Sequence, residues 1–373
     1  MLERYGHGGD LRTASELYGR DAEAFLDFSS NMNPYGPPAA VRAALLAFAD
    51  RIAGYPDPAA RRLISRLARR HGVAEESILA GNGAAELIDL AVRAVRPALT
   101  ALAMPCFSEY GDAVRKIGGS VAALRLSPDN AFRLTAEAAE SVPGKPDAWL
   151  IGSPNNPTGM TVEPEVVEAL LDSGAFVLLD EAFQDFLPDE ASRSFTRRAS
   201  ASAKLVVIRS MTKFYAVPGI RLGYAVGHPD TIAAMRRLQV PWSVNALAQE
   251  IGAAVLDDEP YARRTIDWLG RERPRFAERL ASLGLRVYPG EANYILFAIP
   301  ERYRMNAAAL QAALGRRGIL IRDASRFEGL DERYCRTAVK LPGQNDRLLE
   351  ALAEVLAESA GEAGRAGRGA SGR

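Results

Sequence analysis

The stretch KLVVIRSMTKFYAVPGIRLGY, residues 204–224, decides how the rest of the chain is read. Leu205 to Ile208 is an apolar, β-branched run of the kind that forms a buried strand. The run stops at Ser210, and the chain turns through Met211, Thr212 and Lys213 before Arg221 opens a second apolar run. A lysine at a strand end, with Ser210 and Arg221 close by, suits an amine that binds a carbonyl cofactor carrying a phosphate. The amine bonds to the carbonyl carbon, while the hydroxyl and guanidinium hold the phosphate. Taken alone, S-x-x-K is a weak signal, because an ordinary surface lysine at a strand end looks the same.

Working outward, short apolar runs alternate with helical patterns. Strands are expected at 99–104, 120–126, 147–152, 175–180, 204–209 and 222–226, with helices at 84–95, 108–118, 162–172 and 228–239. Such alternation predicts a mostly parallel sheet wrapped by helices. Upstream, 39–52 and 59–71 read as helices, and 1–35 reads as irregular. Downstream, 261–283 is a long helical stretch punctuated by Pro274, and 285–340 reads as a smaller α+β lobe. Its strands fall near 285–288, 293–299, 319–322 and 335–340, and its helices near 306–316 and 344–357. The expected organisation is an N-terminal segment (1–38) packing on the small domain, a large domain (39–260), a connecting helix (261–284) and the small domain (285–360). A Gly/Ala/Arg-rich tail (361–373) is expected to be disordered. No internal repeat is visible.

The 373 residues carry 46 Lys plus Arg and 46 Asp plus Glu, and no basic stripe marks a nucleic-acid face. An apolar content of 48% matches a globular protein with a sizeable core. The polar start, Met1 to Arg12, lacks a secretory signal's apolar segment, and no apolar run is long enough to span a bilayer. A cytoplasmic location and no membrane partner are therefore expected. Cys106 and Cys335 make no disulfide framework, and no Cys/His spacing suggests a metal site.

Four further stretches bear on the same cofactor. Gly81-Asn82-Gly83-Ala84-Ala85 lies between a strand end and a helix start, where small residues let a phosphate reach backbone N–H groups and the positive end of the helix dipole. Ser153-Pro154-Asn155-Asn156-Pro157-Thr158-Gly159 ends another strand, and the Asn156 amide suits a donor to a phenolate oxygen on a cofactor ring. In Leu178-Leu179-Asp180-Glu181-Ala182-Phe183, Asp180 ends an apolar strand, where a carboxylate is costly unless paired. A protonated pyridine nitrogen is such a partner, and the pair strengthens the ring as an electron sink. Pro105-Cys106-Phe107-Ser108-Glu109-Tyr110 offers an aromatic face for stacking. Each has a bland alternative: a glycine turn, a Pro/Gly loop, a capping Asp, a core aromatic.

In this order, N-N-P-T-G, L-D-E-A-F, S-M-T-K-F and R-L-G-Y resemble the fold-type I pyridoxal-phosphate enzymes of the class I/II aminotransferase superfamily. The resemblance covers nearly all of residues 5–355. It implies a seven-stranded, mostly parallel sheet in a large domain and a smaller α+β domain. It implies Lys213 as the lysine bonded to the cofactor, Asp180 at the pyridine nitrogen, Asn156 at the ring oxygen and Phe107 stacked. Ser210, Arg221 and the Gly83, Ala84, Ala85 turn would hold the cofactor phosphate. The implied assembly is a homodimer in which Tyr55 reaches the partner's cofactor phosphate.

Two branches of the superfamily compete, the histidinol-phosphate aminotransferases and the threonine-phosphate decarboxylases of cobalamin biosynthesis. His7-Gly8-Gly9-Asp10 followed by Asp27-Phe28-Ser29-Ser30-Asn31-Met32-Asn33-Pro34 resembles the opening of the decarboxylase branch, with Asp10 where that branch has Asn. Met32 stands where the aminotransferases more often have Glu, and Phe183 where they usually have Tyr. Lys213 to Gly219 and Pro241 to Asn245 also resemble the decarboxylase branch. The resemblance assigns His7, Gly8, Gly9, Asn31, Asn156, Arg322 and Arg336 to the substrate's phosphate and carboxylate. It implies decarboxylation of L-threonine O-3-phosphate, with an aminotransferase as the alternative and a non-catalytic cofactor binder as a remote one.

Overall fold

The largest sheet has seven strands, in the spatial order Ile78–Gly81, Gly223–Gly227, Leu205–Ser210, Phe176–Asp180, Ala148–Gly152, Leu99–Met104 and Ser120–Arg125. The structure is a computed structural model that describes Leu2 and residues 8–369, with side chains as far as Ser359. His7 and residues 370–373 lie outside the described residues. All neighbours in the large sheet are parallel except Gly223–Gly227, which runs antiparallel to both its neighbours. The central strands are buried along their whole length, which is why they read as unbroken apolar runs instead of alternating ones. Ile78–Gly81, read from the sequence only as a strand end before the glycine turn, forms one edge of the sheet.

In an open sheet of this kind, ligands bind beyond the carboxyl ends of the strands. Gly152 pairs with Asp180, and Ser210 pairs with Gly223, so the ends of three parallel strands and the start of the antiparallel one lie side by side. This placement brings the motifs of the 150s, 180s and 210s to one end of one sheet. The unit that contains it comprises Met32–Asp267 and Gly290–Ala292.

The other unit comprises Met1–Asn31, Trp268–Pro289 and Asn293–Arg373. A four-stranded antiparallel sheet runs Arg322–Asp323, Tyr334–Ala338, Tyr294–Ala298, Arg286–Val287. A separate pair joins Leu26–Asp27 to Ile319–Leu320 in parallel. The long helix Glu259–Ser282, with Pro274 inside it, contributes residues to both units, so the boundaries drawn at 260 and 284 fall at neither of its unit limits.

Two expectations are corrected here. The stretch 1–35 is not wholly irregular, because Leu11–Tyr18 is a helix. The Asp10 carboxylate caps it by accepting from the Thr13 N–H at 3.0 Å, and Gly19 closes it in the left-handed region. Asp and Asn cap equally well, so the departure at position 10 costs the fold nothing. The helix Pro342–Gly369 also continues into the stretch expected to be disordered from 361. Ala, Glu and Arg are strong helix formers and extend the last turns despite the glycines. The helix Ala246–Val255, capped by Asn245, was also not expected from the pattern.

Candidate active site

Asp180 is the last residue of the Phe176–Asp180 strand and is buried. The Tyr110 hydroxyl donates to its Oδ2 at 2.8 Å, and the Ala182 N–H donates to its Oδ1 at 3.0 Å. Burial pushes its pKa up to about 6, while the two hydrogen bonds and the Lys213 charge pull it back. The site thus holds a buried carboxylate whose charged form is costly and which a nearby cation would stabilise. Lys213, half-buried, supplies part of that positive charge. It sits third in the four-residue helix Met211–Phe214, which Ser210 caps through the Thr212 N–H. The Lys213 carbonyl accepts from the Asn33 N–H at 3.1 Å, and the Asn33 amide donates to the Phe214 carbonyl and to Thr265.

The turn at Gly81–Ala85 and the start of Arg221–Tyr224 are interlocked. Gly83 has φ +85°, and a Cβ there would overlap the Arg221 guanidinium. A Cβ on Gly223 would stand 2.9 Å from the Ala84 nitrogen. Glycine at both positions therefore lets Arg221 lie against the start of the helix Ala84–Val95. No side chain caps this helix, so its N-terminal N–H groups are left to an anion, next to a guanidinium. On the neighbouring strand, the Ser210 and Thr212 hydroxyls bond to each other at 2.8 Å.

Asn156 and Phe107 are half-buried. The loop carrying Asn156 is held by Asn155, whose amide donates to the Pro105 carbonyl and to Thr158. This ties the Asn156 loop to the Phe107 segment, and the Phe107 ring meets Tyr110 edge-on with centroids 5.6 Å apart. Phe183 is buried. Tyr55 is 85% exposed and packs on Trp242, with centroids 5.3 Å apart. Tyr110 is the functional residue that sequence reasoning missed: it had been read only as part of an aromatic stretch, because hydroxyl donation to Asp180 depends on the pairing of distant strands.

In the other unit, Arg322 and Arg336 are both buried and directly opposed across adjacent antiparallel strands. Like charges so placed repel, and the arrangement favours a bound anion. Each guanidinium also lies near an aromatic ring, Phe327 for Arg322 and Tyr294 for Arg336. Arg336 donates to the Ser29 carbonyl at 2.8 Å. The Ser29 hydroxyl accepts from the Gly9 N–H at 2.8 Å, and a Cβ on Gly8 would collide with the Ser29 carbonyl. Asn31 is buried, and its carbonyl accepts from the Asn293 amide. The Gly8–Gly9 turn, Ser29 and Arg336 are thereby brought together, whereas His7 lies outside the described residues.

The aminotransferase class I and II family model matches residues 23–356. The threonine-phosphate decarboxylase of Salmonella typhimurium is 40% identical over 356 residues, spanning 94% of this chain and 96% of that protein. The histidinol-phosphate aminotransferase of Roseiflexus castenholzii is 36% identical over 363 residues, spanning 95% of this chain and 96% of that protein. The crystal structure of L-threonine-O-3-phosphate decarboxylase from Porphyromonas gingivalis is similar with a TM-score of 0.78 at 28% identity, over 88% of this chain and 98% of that one.

Proposed function

This chain belongs to the aminotransferase class I and II family, and we propose that within it the protein is a pyridoxal-5'-phosphate-dependent decarboxylase. Its substrate is L-threonine O-3-phosphate, and its products are CO2 and (R)-1-aminopropan-2-yl phosphate, a precursor in cobalamin biosynthesis. The observation that carries this reading is the 40% identity to the decarboxylase along 94% of the chain. A buried phenylalanine at 183 supports it.

The residues fit the cofactor: a buried carboxylate that needs a cation, an amine within its field, and a helix start lined by Arg221. Once bound, pyridoxal phosphate supplies an electron-withdrawing ring that accepts the electron pair left when the Cα–carboxylate bond breaks. Lys213 would hold the cofactor through its aldehyde carbon until the substrate amine takes its place, and the freed Nζ would then hold the proton destined for Cα. Asp180 holds the proton of the pyridine nitrogen, and Tyr110 fixes the orientation of its Oδ2. Ser210, Arg221 and the Gly83, Ala84 and Ala85 backbone would hold the cofactor phosphate, Asn156 would donate to the ring oxygen, and Phe107 would cover the ring. Arg322, Arg336, Asn31, Gly8, Gly9 and His7 would hold the substrate's two anionic groups and so select which bond at Cα is broken.

Incubating the purified protein with L-threonine O-3-phosphate and pyridoxal phosphate should release CO2. Amino transfer dependent on 2-oxoglutarate, without CO2, would instead establish the aminotransferase reading that the 36% identical relative favours. Arg336→Gln should raise KM for the phosphorylated amino acid about 10- to 100-fold, in line with losing a charge-assisted hydrogen bond. Its visible cofactor absorbance should be unchanged, and steady-state kinetics beside a spectrum tests both.

A homodimer is part of this proposal. Leu46, Ile52, Tyr55, Val240 and Trp242 are exposed, and a groove of about 480 Å³ runs along Asp57–Arg61 and Gln239–Val244. Exposed apolar side chains of this kind suit a partner, and a second copy would let Tyr55 reach that copy's cofactor phosphate. Sedimentation velocity should give twice the monomer mass, with Trp242→Glu shifting the boundary toward the monomer. Among the described residues, no helix is long and apolar enough to cross a membrane.

A further inference from the structure

Arg209 immediately precedes Ser210, and none of its side chain reaches solvent. Its Nη1 lies 3.2 Å from Glu181 Oε2, and its Nη2 lies 2.9 Å from Asp185 and 2.7 Å from Glu190. The Ser194 hydroxyl stands 3.2 Å from Nη1. All four partners belong to the segment that begins right after Asp180. That segment is nearly irregular, with one short 3-10 turn at Gln184–Phe186 and one helical turn at Glu190–Arg193. Glu181 in turn accepts from the Phe195 N–H and the Ser194 hydroxyl. The 181–195 segment is therefore wound around a single guanidinium.

Stability alone is a poor reason for such an arrangement. Burying a cation and three carboxylates costs desolvation, and apolar replacements of buried ion networks are often neutral or stabilising. Location is the better reason. Asp180 pairs with Ile208, so Arg209 and Glu181 project together from the sheet face opposite Asp180 and Ser210. The segment they pin includes Ala182, whose N–H holds Asp180 Oδ1, and the buried Phe183. Arg209 thus ties the strand that ends in the Lys213 turn to the residues that orient the Asp180 carboxylate.

We propose that Arg209 is a positioning residue for the Asp180 and Lys213 pair: by gathering Glu181, Asp185 and Glu190 it fixes the turn after Asp180 relative to the strand that delivers Lys213. The proposal rests on the cofactor chemistry assigned above. Around the hub, Arg70 lies 3.8 Å from Asp185 and 3.6 Å from Glu190, and His71 bonds to the Tyr224 hydroxyl at 2.8 Å. Burial and the Arg209 charge push the His71 pKa down to about 3, so the ring stays neutral and the guanidinium remains the organising charge. Lysine cannot replace it, since one ammonium does not span three carboxylates in a planar fork.

The test uses the cofactor-loaded protein and Arg209→Lys, followed by absorbance across pH 5 to 9, by thermal melting and by kcat and KM. The visible band should persist, its pH midpoint should move by at least half a unit, and kcat should fall at least about 10-fold with KM within about 3-fold. An unchanged midpoint and kcat, with only a lower melting temperature, would reduce Arg209 to a structural role and overturn the proposal. If Arg209→Lys does not fold, Arg209→Met combined with Glu181→Gln, Asp185→Asn and Glu190→Gln removes the cation and its three carboxylates together, and the same two outcomes apply. A wild-type protein without any visible band would instead defeat the cofactor assignment itself, a result distinct from an unshifted midpoint.

Discussion

Lys213→Ala should abolish the visible band of the cofactor-loaded protein and lower CO2 release by at least about 10⁴-fold, because one residue supplies both the covalent attachment and the proton transfer. The fold should survive the change. Lys213 is tethered through its backbone: its carbonyl accepts from the Asn33 and Ala216 N–H groups, and neither bond uses the side chain. Alanine also suits the short Met211–Phe214 helix. The ligand-free variant should therefore still melt cooperatively, somewhat below the wild type because the Lys213 charge no longer offsets the buried Asp180 carboxylate. A retained band would place the covalent attachment at another amine and refute the role given to Lys213. A spectrum taken beside a CO2 assay decides the matter.

Asp180→Asn should lower CO2 release by about 10³-fold, the scale seen when a preorganised electrostatic partner is removed from an active site. Its effect on stability should have the opposite sign. The Asp180 pKa is raised from 3.8 to about 6 in the fold, so between those values the folded protein binds more protons than the unfolded one, and stability falls as pH rises. Above pH 6 the ligand-free wild type carries the full cost of a buried carboxylate, which asparagine lacks. Ligand-free Asp180→Asn should therefore melt higher than the wild type at pH 8, with the gap closing toward pH 4. An equal gap at both pH values would mean that ionisation of Asp180 is not the cause. A residue that weakens the empty protein yet is needed for turnover is the expected signature of a group placed for a cationic ligand.

The large unit was legible because its strands and helices differ in period. The unbroken apolar runs at 148–152, 176–180 and 205–208, separated by helical stretches, could hardly form anything but a covered parallel sheet. Lys213, Asp180, Asn156 and Arg221 were legible because each ends or begins such a run. The antiparallel course of Gly223–Gly227 was not, since direction depends on pairing and a five-residue apolar strand reads the same either way. The helix Leu11–Tyr18 was hidden because it is only eight residues long and its inward stripe is just Leu11, Ala14 and Tyr18, blurred by the exposed Leu17. Tyr110 and Arg209 escaped for a shared reason. Their roles come from partners distant in the chain, and a lone tyrosine in a helix or an arginine in an apolar strand has no local pattern that names those partners.

The parallel pairing of Leu26–Asp27 with Ile319–Leu320, and the bond from Arg336 to the Ser29 carbonyl, make the first thirty-one residues part of the unit that holds the two arginines. A protein translated from Met32 would keep the whole seven-stranded sheet, so it should still turn yellow with cofactor. It would lack Gly8, Gly9 and the Ser29 carbonyl that Arg336 bonds, and under the substrate-binding role proposed for them it should fail to turn over the amino acid. Purifications judged by colour alone would miss such a species, and a protease cut before Met32 would silence the enzyme without bleaching it.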